Sequence, residues 1–81
     1  MKLTEYEKAC CVDVCYNYLL EIRYNCSFGM FTELFHRYNT MLNIFGFSND
    51  LIIIYHPDAE LLIQYAIEHS ANEEMFSLVG G

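Results

Sequence analysis

The sequence predicts a small, mainly α-helical bundle of three to four helices: an antiparallel hairpin followed by C-terminal helical segments. Three observations predict it. Between Phe28 and Gly46, the residues Phe31, Leu34, Phe35, Tyr38, Met41, Leu42 and Phe45 recur at three- and four-residue spacing. At about 100° per residue they fall within an arc of roughly 120°, the width of a core-facing stripe. Two capping-box patterns, Thr4-Glu5-Tyr6-Glu7 and Ser70-Ala71-Asn72-Glu73, mark helix starts. Finally, two otherwise apolar stretches each keep one polar seam at i, i+4, i+8. The first is Asp13, Asn17 and Glu21; the second is Glu60, Gln64 and Glu68. Such a seam is how a helix covered over most of its circumference meets water.

The elements follow in order. Thr4 can accept an orphan amide while Glu7 reaches back, so a first helix should run from Glu5 to about Tyr24, roughly 30 Å at the standard rise. Its apolar arc is broad. Cys11, Val14, Cys15, Tyr18, Leu19 and Ile22 lie together, with Val12, Tyr16 and Leu20 widening it, so this helix should pack on more than one side. The connection Asn25–Ser27 is short, which folds the next helix back antiparallel. That second, central helix carries the stripe described above. Thr32, Glu33, His36, Arg37, Asn39, Thr40 and Asn43 take its opposite side, and Gly46 stands where a left-handed cap would end it.

After the connection Phe47–Asp50, the run Leu51–Tyr55 reads two ways. Its β-branched residues favour a strand. Ser48 as an N-cap and Asp50 in a first turn favour a short helix. A lone strand would need the tail at 75–79, or a second subunit, to satisfy its edges. The balance therefore tips toward helix or irregular structure. Pro57, the only proline, suits the first position of a further helix, with Asp58 and Glu60 at the positive end of its dipole. This helix should reach about His69. Ala59, Leu61, Leu62, Ile63, Tyr65, Ala66 and Ile67 make it apolar almost all round, so it should be central and covered on most sides. The second capping box should then open a separate short helix ending near Val79.

Composition bounds the function. Eighty-one residues make one domain, 1–81, and Leu, Ile, Val and Phe supply 25 of them, enough for a core but a small one. The net charge of −7 is lopsided: residues 1–37 hold all four basic side chains against five acids, and residues 38–81 hold six acids and no Lys or Arg. Direct binding to nucleic acid or to an anionic membrane needs clustered cations, which are missing. A basic protein surface is the natural complement. The acidic start Met1–Glu7 does not read as a secretory leader, and the longest apolar run, Leu51–Tyr55, is too short to span a bilayer, so the expected location is the cytoplasm.

Few residues suggest chemistry. No Gly-rich phosphate cradle, Ser elbow or Cys–His signature occurs, and the expectation is a non-enzymatic protein without cofactor. Glu33 and His36 have the i, i+3 spacing of di-iron bundles, but such sites need a second motif and two more inward carboxylates. Cys11 and Cys15 share a helical face, so a metal site completed by Cys26 and a histidine is an alternative; small buried thiols in a reducing compartment are the simpler reading. The acidic seams carry the main functional expectation. Asp13, Asn17, Glu21, Asp58, Glu60, Gln64, Glu68, Glu73 and Glu74 form the expected partner-binding set, with tyrosines as anchors. Rows of negative charge on a rigid scaffold could occupy a nucleic-acid channel, the mode of small acidic inhibitors from phages and mobile elements. The competing expectation is a helical dimerisation or adaptor subunit acting through apolar surface, since one small bundle cannot cover so much apolar helix and a homodimer would.

Overall fold

The computed structural model describes residues 2–27 and 29–80, with side chains described as far as Asn72. Within them the chain forms four α-helices and no strand: α1 (Glu5–Tyr24), α2 (Met30–Phe45), α3 (Asn49–Tyr55) and α4 (Ala59–Gly80). The mainly helical bundle expected from the sequence is the fold.

Local chemistry sets the ends of the first two helices. The Thr4 hydroxyl accepts from the Glu7 amide at 3.1 Å, and the Thr4 amide donates to Glu7 Oε1 at 3.0 Å, closing the capping box. That donated hydrogen bond holds the Glu7 carboxyl below its ordinary range. α2 is bounded by Gly29 (φ 86°) and Gly46 (φ 73°), both in the left-handed region that favours glycine. Past Gly46 the Phe47 amide returns to the Leu42 carbonyl at 2.8 Å, a Schellman-type closure.

α1 and α2 form the antiparallel hairpin. Ile22, near the end of α1, packs with Phe31 and Leu34 from the start of α2, whereas Val12 and Cys15 pack with Tyr38 and Leu42. The predicted α2 stripe is the observed one: Phe31, Leu34, Tyr38 and Leu42 are buried and Phe35, Met41 and Phe45 half-buried. In α1 the buried stripe is Val12, Cys15, Leu19 and Ile22, while Val14, expected inside, is 43% exposed.

Leu51–Tyr55 lies in a helix, α3, with Ser48 at its N-cap. A helix meets its own backbone hydrogen-bonding needs, whereas a strand here would have no sheet to join among the described residues. Ile52 is fully buried and fixes α3 against the hairpin, and the Tyr38 hydroxyl donates to Asn49 Oδ1 at 2.7 Å where α3 begins. Pro57 and Asp58 form a turn, and α4 starts two residues later than Pro57 as first helical residue would have it; His56 and Pro57 carbonyls accept the Ala59 and Glu60 amides at 2.8 and 3.3 Å.

Two expectations about α4 are corrected. It does not stop near His69 and restart at Ser70: Ala59–Gly80 is one helix. Ser70 and Asn72 are only mild helix-weakeners, no Gly or Pro interrupts before Gly80, and extending an existing helix costs far less than nucleating a new one. Nor is α4 covered on most sides. Ala59, Leu62, Ile63 and Ala66 are buried, but Leu61 is 72% and Ile67 51% exposed. α4 packs on α1 and α3 rather than being enclosed by the hairpin. The result is an elongated body of 47 × 24 × 20 Å. No helix among the described residues is long and apolar enough to cross a membrane.

Candidate functional site

The two polar seams lie on α1 and α4, so the relation between those helices decides what the seams can do. Three contacts set it. His56 Nε2 donates to Asp13 Oδ1 at 2.8 Å, the Tyr16 hydroxyl donates to Asp58, and the Arg23 guanidinium lies 4.9 Å from the Tyr65 ring centre. These partners are 43, 42 and 42 positions apart. A constant offset means that α4 runs parallel to α1, side by side and in fixed register.

The register staggers the carboxylates. Glu60 stands level with the amide residue Asn17, and Gln64 level with Glu21. Taken in order of height, the acids are Asp13, Glu60, Glu21 and Glu68, alternating between the helices in axial steps of three to five residues, about 4.5–7.5 Å each. All four are exposed, as are Asn17 and Gln64. The helical phases turn both seams away from the core. At 100° per residue, the α1 seam is centred about 110° from its α4-facing residues Tyr16 and Arg23. The α4 seam is centred about 100° from Tyr65 in the opposite rotational sense. The residues that α4 buries, Ala59, Leu62, Ile63 and Ala66, centre about 150° from its seam, so the two rows face solvent on either side of the rim formed by Tyr16, Arg23 and Tyr65. Leu20, Leu61 and Tyr65 fall between the two rows; Leu20 is half-buried and Leu61 and Tyr65 are exposed. The surface is thus an apolar strip flanked by alternating carboxylates.

Asp13 and Asp58 have a second role. The Tyr16 ring stacks on His56 with centroids 4.0 Å apart and planes 10° from parallel. Asp13, Tyr16, His56 and Asp58 therefore make one cluster that ties the start of α4 to α1 and sets the stagger. Its hydrogen bond to Asp58, helped by burial, pushes the Tyr16 hydroxyl up to about 12. Glu73 and Glu74 lie outside the residues whose side chains are described.

Sequence reasoning missed Tyr16, His56, Leu20, Leu61 and Tyr65 as parts of this surface. Their partners are some 40 positions away, and helical periodicity holds no information about register between helices. The other candidate sites are dispersed. The Glu33 carboxylate accepts from Arg37 at 2.6 Å, and His36 is exposed on α2. Among the described residues no three His, Cys, Asp or Glu side chains converge as metal ligands would.

The cysteine side chains sit in graded environments: Cys10 exposed, Cys11 and Cys26 half-buried, Cys15 buried. Burial, helped by the neighbouring Cys11, pushes the Cys15 thiol up to about 11. Timed alkylation read by peptide mass spectrometry is expected to label Cys10 first and Cys15 last. Labelling of Cys15 at the Cys10 rate would mean that α1 does not stay packed.

Comparison of the chain with protein-family models, with curated proteins and with solved structures found no match.

Proposed function

We propose that this protein is a small acidic, non-enzymatic binding module that seats its α1–α4 face on a basic surface of a nucleic-acid-handling protein, in the place nucleic acid would take. One observation carries the reading: the staggered ladder Asp13, Glu60, Glu21, Glu68 around the strip Leu20, Leu61 and Tyr65. A protein interface wants a desolvated apolar centre with a polar rim. A competitor of nucleic acid wants regularly spaced negative charge held rigidly. This face joins both, and the Asp13–His56 and Tyr16–Asp58 contacts supply the rigidity. The carboxylates would steer and orient the encounter with a cationic partner, and Tyr65 and Leu61 would anchor it.

Immobilised protein is expected to retain, from a cell lysate, a basic partner that salt or added duplex DNA releases. Glu60→Lys with Glu68→Lys should weaken that retention by at least about tenfold, because it both removes attraction and adds repulsion. Both positions are exposed, so far-ultraviolet circular dichroism should be unchanged. Retention indifferent to salt, to DNA and to the double reversal would remove the electrostatic mechanism. It would favour the second reading, a homodimer or adaptor joined through apolar surface, to which exposed Ile54 (73%), Leu61 (72%) and Ile67 (51%) lend support. In that case sedimentation should show a salt-independent dimer.

A further inference from the structure

At the end of the α1–α2 hairpin, away from the Asp13–His56 cluster, a cavity of about 560 Å³ opens between the last turn of α1, the first turn of α2 and the middle of α4. That volume is in the range of small-molecule pockets. Tyr24, Phe31 and Tyr65 give it aromatic walls, and Arg23, His69 and Asn72 give it polar groups. The two sets are interleaved. The Arg23 guanidinium lies 5.2 Å from the Tyr24 ring centre and 4.9 Å from that of Tyr65. The His69 ring meets Phe31 edge-on at 4.3 Å and stacks on Tyr65 at 5.9 Å.

Arg23 is the informative group. Lys8 and Arg37 each contact a carboxylate; Arg23 has none within ion-pair distance among the described residues. Its guanidinium lies against two aromatic rings, a cation–π setting that leaves its N–H groups uncommitted to an acid among the described residues. Gly29, on the cavity rim, caps α2 and brings no side chain of its own to that positive helix end. In a chain of net charge −7, this is a local site of the opposite sign with flat apolar walls.

We propose that this cavity binds a small anion built on a planar aromatic ring, its ring set among the aromatic walls Tyr24, Phe31 and Tyr65 and its anionic group held by Arg23. The shared chemistry is ring plus anion; a phosphate and a carboxylate both supply the anion. Calorimetric titration of the full chain with adenosine monophosphate and with indole-3-acetate separates these, and adenosine and inorganic phosphate serve as half-ligands. At least one ring anion is expected to bind at a single site with a dissociation constant below about 1 mM, at least about tenfold tighter than either half-ligand. Arg23→Gln and Tyr65→Ala should each weaken it by about tenfold or more. Glu60→Lys, on the other surface, should leave it unchanged. Amide shift changes in a nitrogen-labelled sample should centre on Arg23, Phe31 and His69. Arg23 is exposed, so the Gln variant should keep wild-type circular dichroism, and Arg23→Lys, which keeps charge but not the planar fork, should bind with intermediate strength. No saturable binding of either ring anion, equal binding by Arg23→Gln, or shift changes elsewhere would each overturn the proposal. Tyr65 belongs to both surfaces, so the Arg23 variants are the ones that separate this proposal from the α1–α4 face.

Discussion

Tyr38→Ala is expected to remove most of the stability of the fold. Tyr38 is 1% exposed and the largest of the fully buried side chains. It packs with Val12, Cys15, Leu19, Leu42 and Ile52, so it joins α1, α2 and α3 at one point. Truncating a buried aromatic ring costs about 3–5 kcal/mol, because transfer energy is lost and the cavity collapses only in part. The whole stability of a chain this long is about 4–12 kcal/mol. Urea denaturation followed by circular dichroism should show the Ala variant unfolded or nearly so at low denaturant. Tyr38→Phe separates packing from hydrogen bonding. It keeps the ring and loses only the 2.7 Å bond to Asn49, at a cost of about 1 kcal/mol. If the Ala variant falls within that same small margin, α2 does not dock on α1 and α3 as described.

The residues of that core show what was legible in the sequence. The α2 stripe is local information: Phe31, Leu34, Tyr38 and Leu42 are marked by spacing alone, and all four are buried. The Thr4–Glu7 box is local too, and it formed. Local signals misled where they were only permissive. Ser70-Ala71-Asn72-Glu73 has the composition of a helix start, but a cap is used only where a helix must begin, and α4 was already under way. Val14 falls within the broad apolar arc of α1, yet it is 43% exposed because α2 and α4 cover that helix from other directions.

The candidate surface divides along the same line. Each row of acids follows from i, i+4 spacing, and the exposure of Asp13, Asn17, Glu21, Glu60, Gln64 and Glu68 agrees with it. The stagger that turns two rows into one ladder follows from the register of α4 on α1. That register depends on His56 meeting Asp13 and Tyr16 meeting Asp58 across the bundle. The cavity is less legible still, since its lining is gathered from three residues of α1, one of α2, three of α4 and the α1–α2 connection.

Raising the pH should unfold the protein cooperatively between about pH 9 and 12, through groups that the fold keeps protonated. Cys15, fully buried, has its thiol pushed from the ordinary 9.0 up to about 11. Tyr16 is pushed from 10.0 up to about 12 by its bond to Asp58, and Tyr38 is raised by burial. A raised value in the folded state means that the unfolded chain releases its proton first. The stabilising contribution is therefore intact below the ordinary value and is lost as pH rises through the folded one. The loss starts with Cys15 near pH 9 and continues with the tyrosines above pH 10. The Cys15 gap alone corresponds to about 2–3 kcal/mol, a large fraction of a small domain's stability. Denaturation midpoints measured across this range should fall steeply, and helix content followed by circular dichroism should be lost cooperatively. Cys15→Ala supplies the control. It should lower stability at neutral pH through the lost thiol volume, yet flatten the decline between pH 9 and 11, because the group that titrates there is gone. A wild-type profile level through pH 11, or one as steep in Cys15→Ala, would mean that Cys15 is not held in the dry interior where α1, α2 and α3 meet.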